Sequence, residues 1–399
     1  MLSARNNSHS QSLLLRQSHP KNFGIFFLVV ICGFGIGVIL FAYTSFADSL
    51  YEPETLKYVV VYHRHGARSP TKTYKKDPYS DWRKYWPMGW GQLTLEGKEQ
   101  MYDMGIRLWK RYSRFVDKFT VQTVRVESSD ADRCLMSAQL VLAGLFPPTA
   151  ADQIWKKDFH WQPIPVHSTP KVYDRKIIMK APCPRYTAEF NKVLQQSINN
   201  ATDEDKLLFA LLTKDTGMDV KSIRQVESIY SILHIQDGVG LPLPSWTKSI
   251  YPDALKERTK DSMSLSTYNT LMKRLHVGPW IKELFERLHN ATVKAADSSK
   301  ANSTMKMTIY SGHDMGLIAV WRAFDFPGKI LPNFGATFLF ELHHINNENI
   351  VKILYYNKTS QAEPHELQIP HCGHPCLLTD LHKNMEYLMP VDWEQECSL

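Results

Sequence analysis

The stretch VVVYHRHGARSP, residues 59–70, decides the fold of this chain. It is typical of a buried strand that ends in a loop carrying two arginines, an imidazole and a glycine. In open α/β sheets, ligands bind beyond the carboxyl ends of strands, and guanidinium groups match phosphate oxygens bidentately. We therefore predict a phosphate site in which Arg64 and Arg68 flank His65, whose neutral imidazole could attack phosphorus. Gly66 is expected to let the backbone approach the anion closely, and a solvated basic loop is the alternative interpretation.

A second segment adds another cation. Residues 121–127 (VQTVRVE) alternate like a strand, and residues 135–141 have the apolar periodicity of a helix. Ser129 or Asp130 is the expected N-cap, which places Arg133 in the first helical turn. Because a helix N-terminus favours anions, Arg133 is expected to join the phosphate site, although it could also be an ordinary surface arginine.

A third strand is predicted at residues 305–311 (MKMTIYS), and it ends in Gly312, His313 and Asp314. One of the last two side chains could bind phosphoryl oxygens while the other donates a proton to a leaving group. Local hydrogen bonding between them is the alternative. Three strand ends that each deliver charged residues favour a phosphoryl-transfer site over coincidence.

Together these segments resemble the histidine acid phosphatases of the histidine phosphatase superfamily, specifically their prostatic and lysosomal branch. The resemblance covers nearly everything after Leu56 and rests on the motifs RHGARSP (64–70), GQLT (91–94), SDADRCLMS (129–137), WQPIPVH (161–167) and SGHD (311–314). It implies an α/β fold, with a phosphoglycerate mutase-like α/β sandwich core and a mostly helical cap insertion.

The same resemblance implies a role for each site residue. His65 would be the phosphorylated nucleophile and Asp314 the proton donor, and the phosphate ligands would be Arg64, Arg68, Arg133 and His313. No metal or other cofactor is implied, because guanidinium groups supply the positive charge. Met315 and Gly316 stand where relatives usually carry two threonines, so the local support of Asp314 is expected to differ.

Composition is consistent with a folded, secretory enzyme. The chain has 399 residues, of which 43% are hydrophobic and 12% aromatic, enough for a large core with more than one domain or a big insertion. Its net charge of +7 is not concentrated in a basic run, so no nucleic-acid partner is expected.

Residues 23–47 contain no charged side chain and are long enough to span a bilayer. Basic residues precede this segment and acidic residues follow it: Arg5, Arg16 and Lys21, then Asp48, Glu52 and Glu54. This asymmetry predicts a signal anchor that attaches the protein to a membrane, with a cytosolic tail at residues 1–22 and a lumenal or extracellular catalytic region. A cleaved signal peptide is the alternative, because residues 45–47 (SFA) offer a cleavage pattern; the product would be secreted or lysosomal.

The cysteines and glycosylation sequons agree with a lumenal location. Four sequons follow the apolar segment, at Asn200, Asn290, Asn302 and Asn357. Residues 371–376 (HCGHPC) superficially look like zinc ligands, but a small disulfide loop is favoured in an oxidising compartment. The family pattern implies the pairs Cys372–Cys376 and Cys183–Cys397, and it leaves Cys134 unpaired behind Arg133.

The organisation follows from periodicity. Core strands are predicted near Val59, Val124 and Ile309, core helices at 96–112 and 131–145, and two last strands at 337–342 and 350–356 joined by an Asn-rich turn. Helical periodicity at 207–212, 223–233 and 271–288 predicts a cap. We therefore divide the lumenal region into an N-terminal α/β core segment (48–150), a helical cap insertion (151–300) and a C-terminal α/β core segment (301–399).

The predicted activity is hydrolysis of phosphomonoesters through a phosphohistidine, with an acidic optimum because Asp314 must begin protonated. Two alternatives stay open: a membrane-anchored binding ectodomain with a vestigial site, and a zinc hydrolase built on His63 and His65. The sequence does not identify the natural substrate. It does not settle dimerisation either, so a homodimer stays open.

Overall fold

A computed structural model describes residues 54–295 and 305–398. The predicted span at 23–47, the tail before it and the Asn302 sequon lie outside these residues. Within the described ranges, no helix combines the length and the apolar character needed to cross a membrane.

The strands form one mixed seven-stranded sheet of order β3-β2-β4-β1-β5-β6-β7. Its strands are β1 (Leu56–Arg64), β2 (Val124–Ser129), β3 (His167–Thr169), β4 (Met307–Gly312), β5 (Thr337–Ile345), β6 (Glu348–Tyr356) and β7 (His365–Leu367). The first four strands are mutually parallel where they pair, and β5, β6 and β7 extend the sheet antiparallel. The carboxyl ends of β1, β2 and β4 therefore meet at one edge, which positions the site.

Helices cover both faces of the sheet and build a separate layer above its edge. The described helices are α1 (Trp82–Tyr85), α2 (Leu95–Tyr112), α3 (Asp132–Leu145), α4 (Pro184–Asn199), α5 (Asp203–Thr216), α6 (Ile223–Gly238), α7 (Asp253–Ser264), α8 (Thr270–His276), α9 (Gly278–Ala295), α10 (Asp314–Ala323), α11 (Leu378–Met385) and α12 (Trp393–Cys397). The predicted α/β fold is thus confirmed.

The alternation of side chains along β1 explains the two core layers. Tyr58, Val60 and Tyr62 pack on the face covered by α9, α10 and α11, whereas Val59 and Val61 pack on the face covered by α2 and α3. Successive side chains of a strand point to opposite faces, so a strand buried on both sides is apolar at nearly every position. Residues 59–61 (VVV) are all apolar because β1 is buried on both faces.

The predicted hairpin at the end of the sheet forms, with longer strands than expected. Strands β5 and β6 meet at Asn346 and Asn347, whose φ angles are 50° and 65°. Asparagine tolerates this left-handed region better than most residues, which favours a tight turn here.

The predicted helix at 271–288 is interrupted, and its second half belongs to the core. Helix α8 ends at His276, and Gly278 begins α9 where a Cβ atom would lie 2.2 Å from the Leu388 carbonyl oxygen. Trp280 and Phe285 of α9 then pack in the same cluster as β1. Helix α9 therefore covers the sheet.

The helices α5, α6 and α7 have an apolar cluster of their own, which includes Leu212, Ile229 and Leu255.

Both expected disulfides are present, Cys183–Cys397 and Cys372–Cys376, and Cys134 is a buried free thiol. The first bridge ties the segment before α4 to the C-terminal helix α12.

Candidate active site

The three predicted strand ends come together at one edge of the sheet. His65 follows β1, Arg133 lies in the first turn of α3 after β2, and His313 and Asp314 follow β4. The His65 and His313 ring centroids are 5.6 Å apart, and Arg133 Nη2 lies 3.4 Å from His313 Nδ1. The register of the parallel strands explains this, since Arg64 pairs with Gly312 and Ser128 with Ser311.

The His65 imidazole is oriented by the backbone of the next residue. Its Nδ1 lies 2.9 Å from the Gly66 carbonyl oxygen, and because a carbonyl only accepts, Nδ1 carries the hydrogen. The other nitrogen, Nε2, therefore keeps a lone pair. Burial, followed by the positive charges of Arg64 and Arg68, holds the pKa of His65 well below 6.5. His65 is thus neutral at physiological pH and can act as a nucleophile.

Three guanidinium groups surround this imidazole with unused donors. No hydrogen-bond acceptor among the described residues reaches the buried Nε of Arg64, Arg68 or Arg133. A buried donor without a partner is costly, and an anion bound between these groups would supply the missing acceptors. Burial lowers the pKa of Arg64 and of Arg68, yet both stay charged because an arginine does not lose its proton in proteins.

Arg64 also pairs with Asp314, the predicted proton donor. Its Nη2 forms an ion pair of 2.6 Å with Asp314 Oδ2, its Nη1 donates to the Pro332 carbonyl oxygen, and its guanidinium lies 4.2 Å from the Phe334 ring centroid. Asp314 Oδ1 accepts the Met315 backbone N–H at 2.8 Å. Although burial acts to raise it, the positive charges of Arg64 and Arg68 leave the pKa of Asp314 below its ordinary value. Asp314 is therefore ionised in the free protein, whereas the sequence-based expectation was a protonated starting state.

His313 is held on both sides of its ring. Its Nε2 lies 2.9 Å from the Ser129 hydroxyl, and burial together with Arg133 lowers its pKa to about 3.

The predicted N-cap of α3 at Ser129 or Asp130 is wrong. Helix α3 begins at Asp132, its N-cap position is Ala131, and no side chain of the described residues caps it. The Ser129 hydroxyl is engaged by His313, so it is not used for capping.

Close packing against helix α2 requires a glycine at position 66. A Cβ atom at Gly66 would lie 2.2 Å from the Gly97 carbonyl oxygen, and one at Gly97 would lie 1.9 Å from the Ala67 carbonyl oxygen. The two glycines thus let the first turn of α2 pack directly on the loop after β1. Gly66 therefore allows close helix packing behind His65.

Gly316, the departure from the family pattern, is also explained by packing. A Cβ atom there would lie 2.0 Å from the Tyr62 hydroxyl, which is buried behind the first turn of α10. The neighbouring Tyr62 therefore excludes a larger residue at this position. Tyr62 of β1 therefore packs against the first turn of α10, the helix that begins at Asp314.

A cavity of about 410 Å³ lies over this cluster and is walled by residues of the helical layer. Sequence reasoning missed all of these wall residues, including Lys180, Tyr186, Phe190, Arg224 and Glu227. Tyr186 and Phe190 lie one turn apart on α4, and Arg224 and Glu227 lie one turn apart on α6. No spacing along the chain relates these two helices to each other or to the strand ends.

The alternative zinc site on His63 and His65 does not form in the described part of the chain. His63 is fully buried, and its Nδ1 donates to the Arg64 carbonyl oxygen at 3.2 Å. Among the described residues, no group of three or more metal-ligating side chains comes together.

The sequence is similar to a known family and to known proteins. The profile of the Histidine phosphatase superfamily (branch 2) matches residues 55–356. Lysosomal acid phosphatase of Rattus norvegicus is 35% identical over 356 residues, which cover 87% of this chain and 81% of that protein. Prostatic acid phosphatase of Homo sapiens is 32% identical over 350 residues, which cover 86% and 88%.

Solved structures agree on the fold. The apo form of Hafnia alvei phytase superposes with a TM-score of 0.63 at 15% identity, covering 86% of this chain and 98% of that one. A likeness at this identity shows a shared fold and nothing about substrate.

Proposed function

The chain belongs to branch 2 of the histidine phosphatase superfamily and is a phosphatase, and from this premise we propose that it hydrolyses phosphomonoesters through a phosphohistidine on His65. The observation that carries the proposal is the neutral His65 ring, whose Nε2 keeps its lone pair and which lies among three guanidinium groups with unused donors. Positive charge placed around a nucleophile stabilises the charge of a transferring phosphoryl group.

The proposed reaction has two steps. In the first, the His65 Nε2 lone pair forms a bond to phosphorus, the ester P–O bond breaks, and the leaving oxygen takes a proton from Asp314. In the second, water attacks phosphorus, Asp314 takes a proton from it, and the N–P bond breaks to restore neutral His65. The phosphoryl oxygens are bound throughout by the cationic and imidazole ligands Arg64, Arg68, Arg133 and His313.

The ionised state of Asp314 in the free protein bears on the first step. The pKa of Asp314 is low because cations surround it, and a bound phosphate dianion would offset their charge. Substrate binding therefore raises the pKa of Asp314 and favours its protonation at acidic pH. This keeps the proposal of an acidic optimum, with the proton taken up together with the substrate.

A hydrolysis assay on an aryl phosphate tests the proposed function. We expect the purified protein to release the phenol at acidic pH, and to retain its rate after treatment with a chelator, because the charges come from arginine. Absence of turnover would favour the binding ectodomain instead. Loss of activity on chelation, with recovery on adding Zn²⁺, would favour a zinc hydrolase.

We further propose that the phosphatase region lies in the lumen or outside the cell, attached through residues 23–47 or released by cleavage after them. The disulfides support an oxidising compartment, and the names of the relatives, lysosomal and prostatic acid phosphatase, fit a lysosomal or secreted protein. Of the sequon residues, Asn200 and Asn290 are exposed and Asn357 is half-buried.

Cell fractionation tests this location. A retained anchor should keep the protein in membranes after carbonate extraction, with mobility shifts on deglycosylation that Asn200→Gln and Asn290→Gln each reduce. A soluble form beginning at Asp48 would establish cleavage. A protein without glycans and with reduced cysteines would contradict the lumenal location altogether.

A further inference from the structure

Glu227, on helix α6, is a second carboxylic acid beside Asp314 at the catalytic cavity. It lines the cavity of about 410 Å³ together with His65 and Asp314, and also an adjoining cavity of about 680 Å³ that reaches Arg64. A third cavity, which contains Arg68 and Lys72, borders it too. Asp314 and Glu227 both line all three cavities, so Glu227 borders the space beside the proposed proton donor.

Glu227 forms no ion pair with any of the described residues. Its Oε2 accepts a hydrogen bond from the hydroxyl of Ser262 on α7, which is a neutral donor. Arg224 and Lys72 act on it through their charge. When ionised, Glu227 therefore places a negative charge in a pocket that has to accept an anion.

We propose that Glu227 is a substrate-binding residue whose charge controls the affinity for phosphate esters: the protonated carboxyl accommodates the substrate and the ionised carboxylate repels it. This deepens the phosphatase function proposed above and rests on it. The role is distinct from that of Asp314, because Glu227 acts on substrate affinity rather than on proton transfer to the leaving group.

The surroundings of Glu227 determine when its charge appears. The charged and titratable groups that share one of its cavities come from every neighbouring element: Arg64, His65, Arg68, Lys72, Arg133, Lys180, Tyr186, Arg224, Tyr230, His234, Lys256, Lys260, His276, His313, Asp314, Lys329, Tyr355, Lys358 and His365. Burial, followed by the negative charge of Asp314, raises the pKa of Glu227, and the Ser262 hydroxyl, Arg224 and Lys72 offset this only in part. Its folded pKa is above the ordinary value, so the carboxyl is neutral at acidic pH and becomes charged as the pH rises toward neutrality.

The substitution Glu227→Gln tests the proposal, since glutamine keeps the shape and cannot ionise. The quantity to measure is the ratio of wild-type KM to variant KM for an aryl phosphate between about pH 4 and about pH 7. The ionisation of the substrate affects both KM values equally and cancels in this ratio. We expect this ratio to grow about tenfold across the range, the effect of one like charge near a bound anion at the effective dielectric of a partly buried site. The pH dependence of the kcat ratio should stay flat.

Two matched variants distinguish this role from a structural one. Glu257→Gln removes an equal charge from the neighbouring helix α7, where Glu257 is exposed and pairs with Lys260, and it should leave the KM profile unchanged. Ser262→Ala removes the hydrogen bond that favours the ionised form, so the pKa of Glu227 should rise further and the increase in KM should move to higher pH.

A KM ratio that is constant with pH would overturn the proposal, and so would a selective loss of kcat in Glu227→Gln. If the wild-type protein hydrolysed no phosphate ester, the proposed phosphatase function would fail by itself. The affinity for inorganic phosphate, measured by calorimetry in wild type and Glu227→Gln over the same pH range, would then decide about Glu227. An identical pH dependence in the two proteins would overturn its assignment.

Discussion

Replacing His65 by alanine is expected to abolish turnover and the covalent phosphoenzyme together. The loss should be on the order of 10⁴-fold or more, as for other nucleophiles that form the covalent intermediate. The physical reason is the geometry at the end of β1. His65 Nδ1 donates a hydrogen bond to the Gly66 carbonyl oxygen, so the lone pair is on His65 Nε2. The second ring, His313, cannot replace it because its Nε2 contacts the Ser129 hydroxyl at 2.9 Å and its Nδ1 faces Arg133.

The measurement is rapid quenching with a phosphorylated substrate labelled on phosphorus. Wild type should yield an acid-labile, base-stable label that maps to His65, and His65→Ala should yield none. Phosphate affinity and thermal unfolding of the variant serve as controls, since the guanidinium groups remain in place. Near-normal hydrolysis by a folded His65→Ala protein would show that the nucleophile lies elsewhere.

The substitution Asp314→Asn is expected to slow alkyl phosphates far more than aryl phosphates. A general acid typically contributes about 10² to 10⁴ in rate, and a phenolate leaves without this help whereas an alkoxide does not. The expected result is therefore a kcat that falls by about this factor for alkyl esters and only slightly for aryl esters. The phosphoenzyme should still form from the aryl substrate.

The ratio of the two effects is the decisive readout. Asp314 also pairs with Arg64 at 2.6 Å, so its substitution changes phosphate binding for every substrate. That loss would alter both leaving-group classes equally and appear mainly in KM. Equal slowing of aryl and alkyl esters in kcat would mean that Asp314 supports Arg64 and does not donate the proton.

Much of the site could be predicted because its residues follow their strands directly. Arg64, Arg133, His313 and Asp314 lie within a few residues of the ends of β1, β2 and β4, and parallel strands bring their carboxyl ends to one edge. The fold class was predictable on the same grounds, and the family resemblance implied both disulfides. The residues at the strand ends are predictable because they are adjacent in sequence to their strands, and because parallel strands place their carboxyl ends at the same edge of the sheet.

The sequence by itself thus determined the five longest strands, the core helices α2 and α3 and the residues at the strand ends. Only the tertiary structure decided that the Ser129 hydroxyl contacts His313, that Gly66 serves packing against Gly97, and that α9 covers the sheet. It also decided that Glu227 shares the catalytic cavity with Asp314. The reason is physical. Periodicity and capping depend on interactions between residues close together along the chain. The contacts named here join segments far apart in sequence, and they depend on the shape and charge of the folded protein.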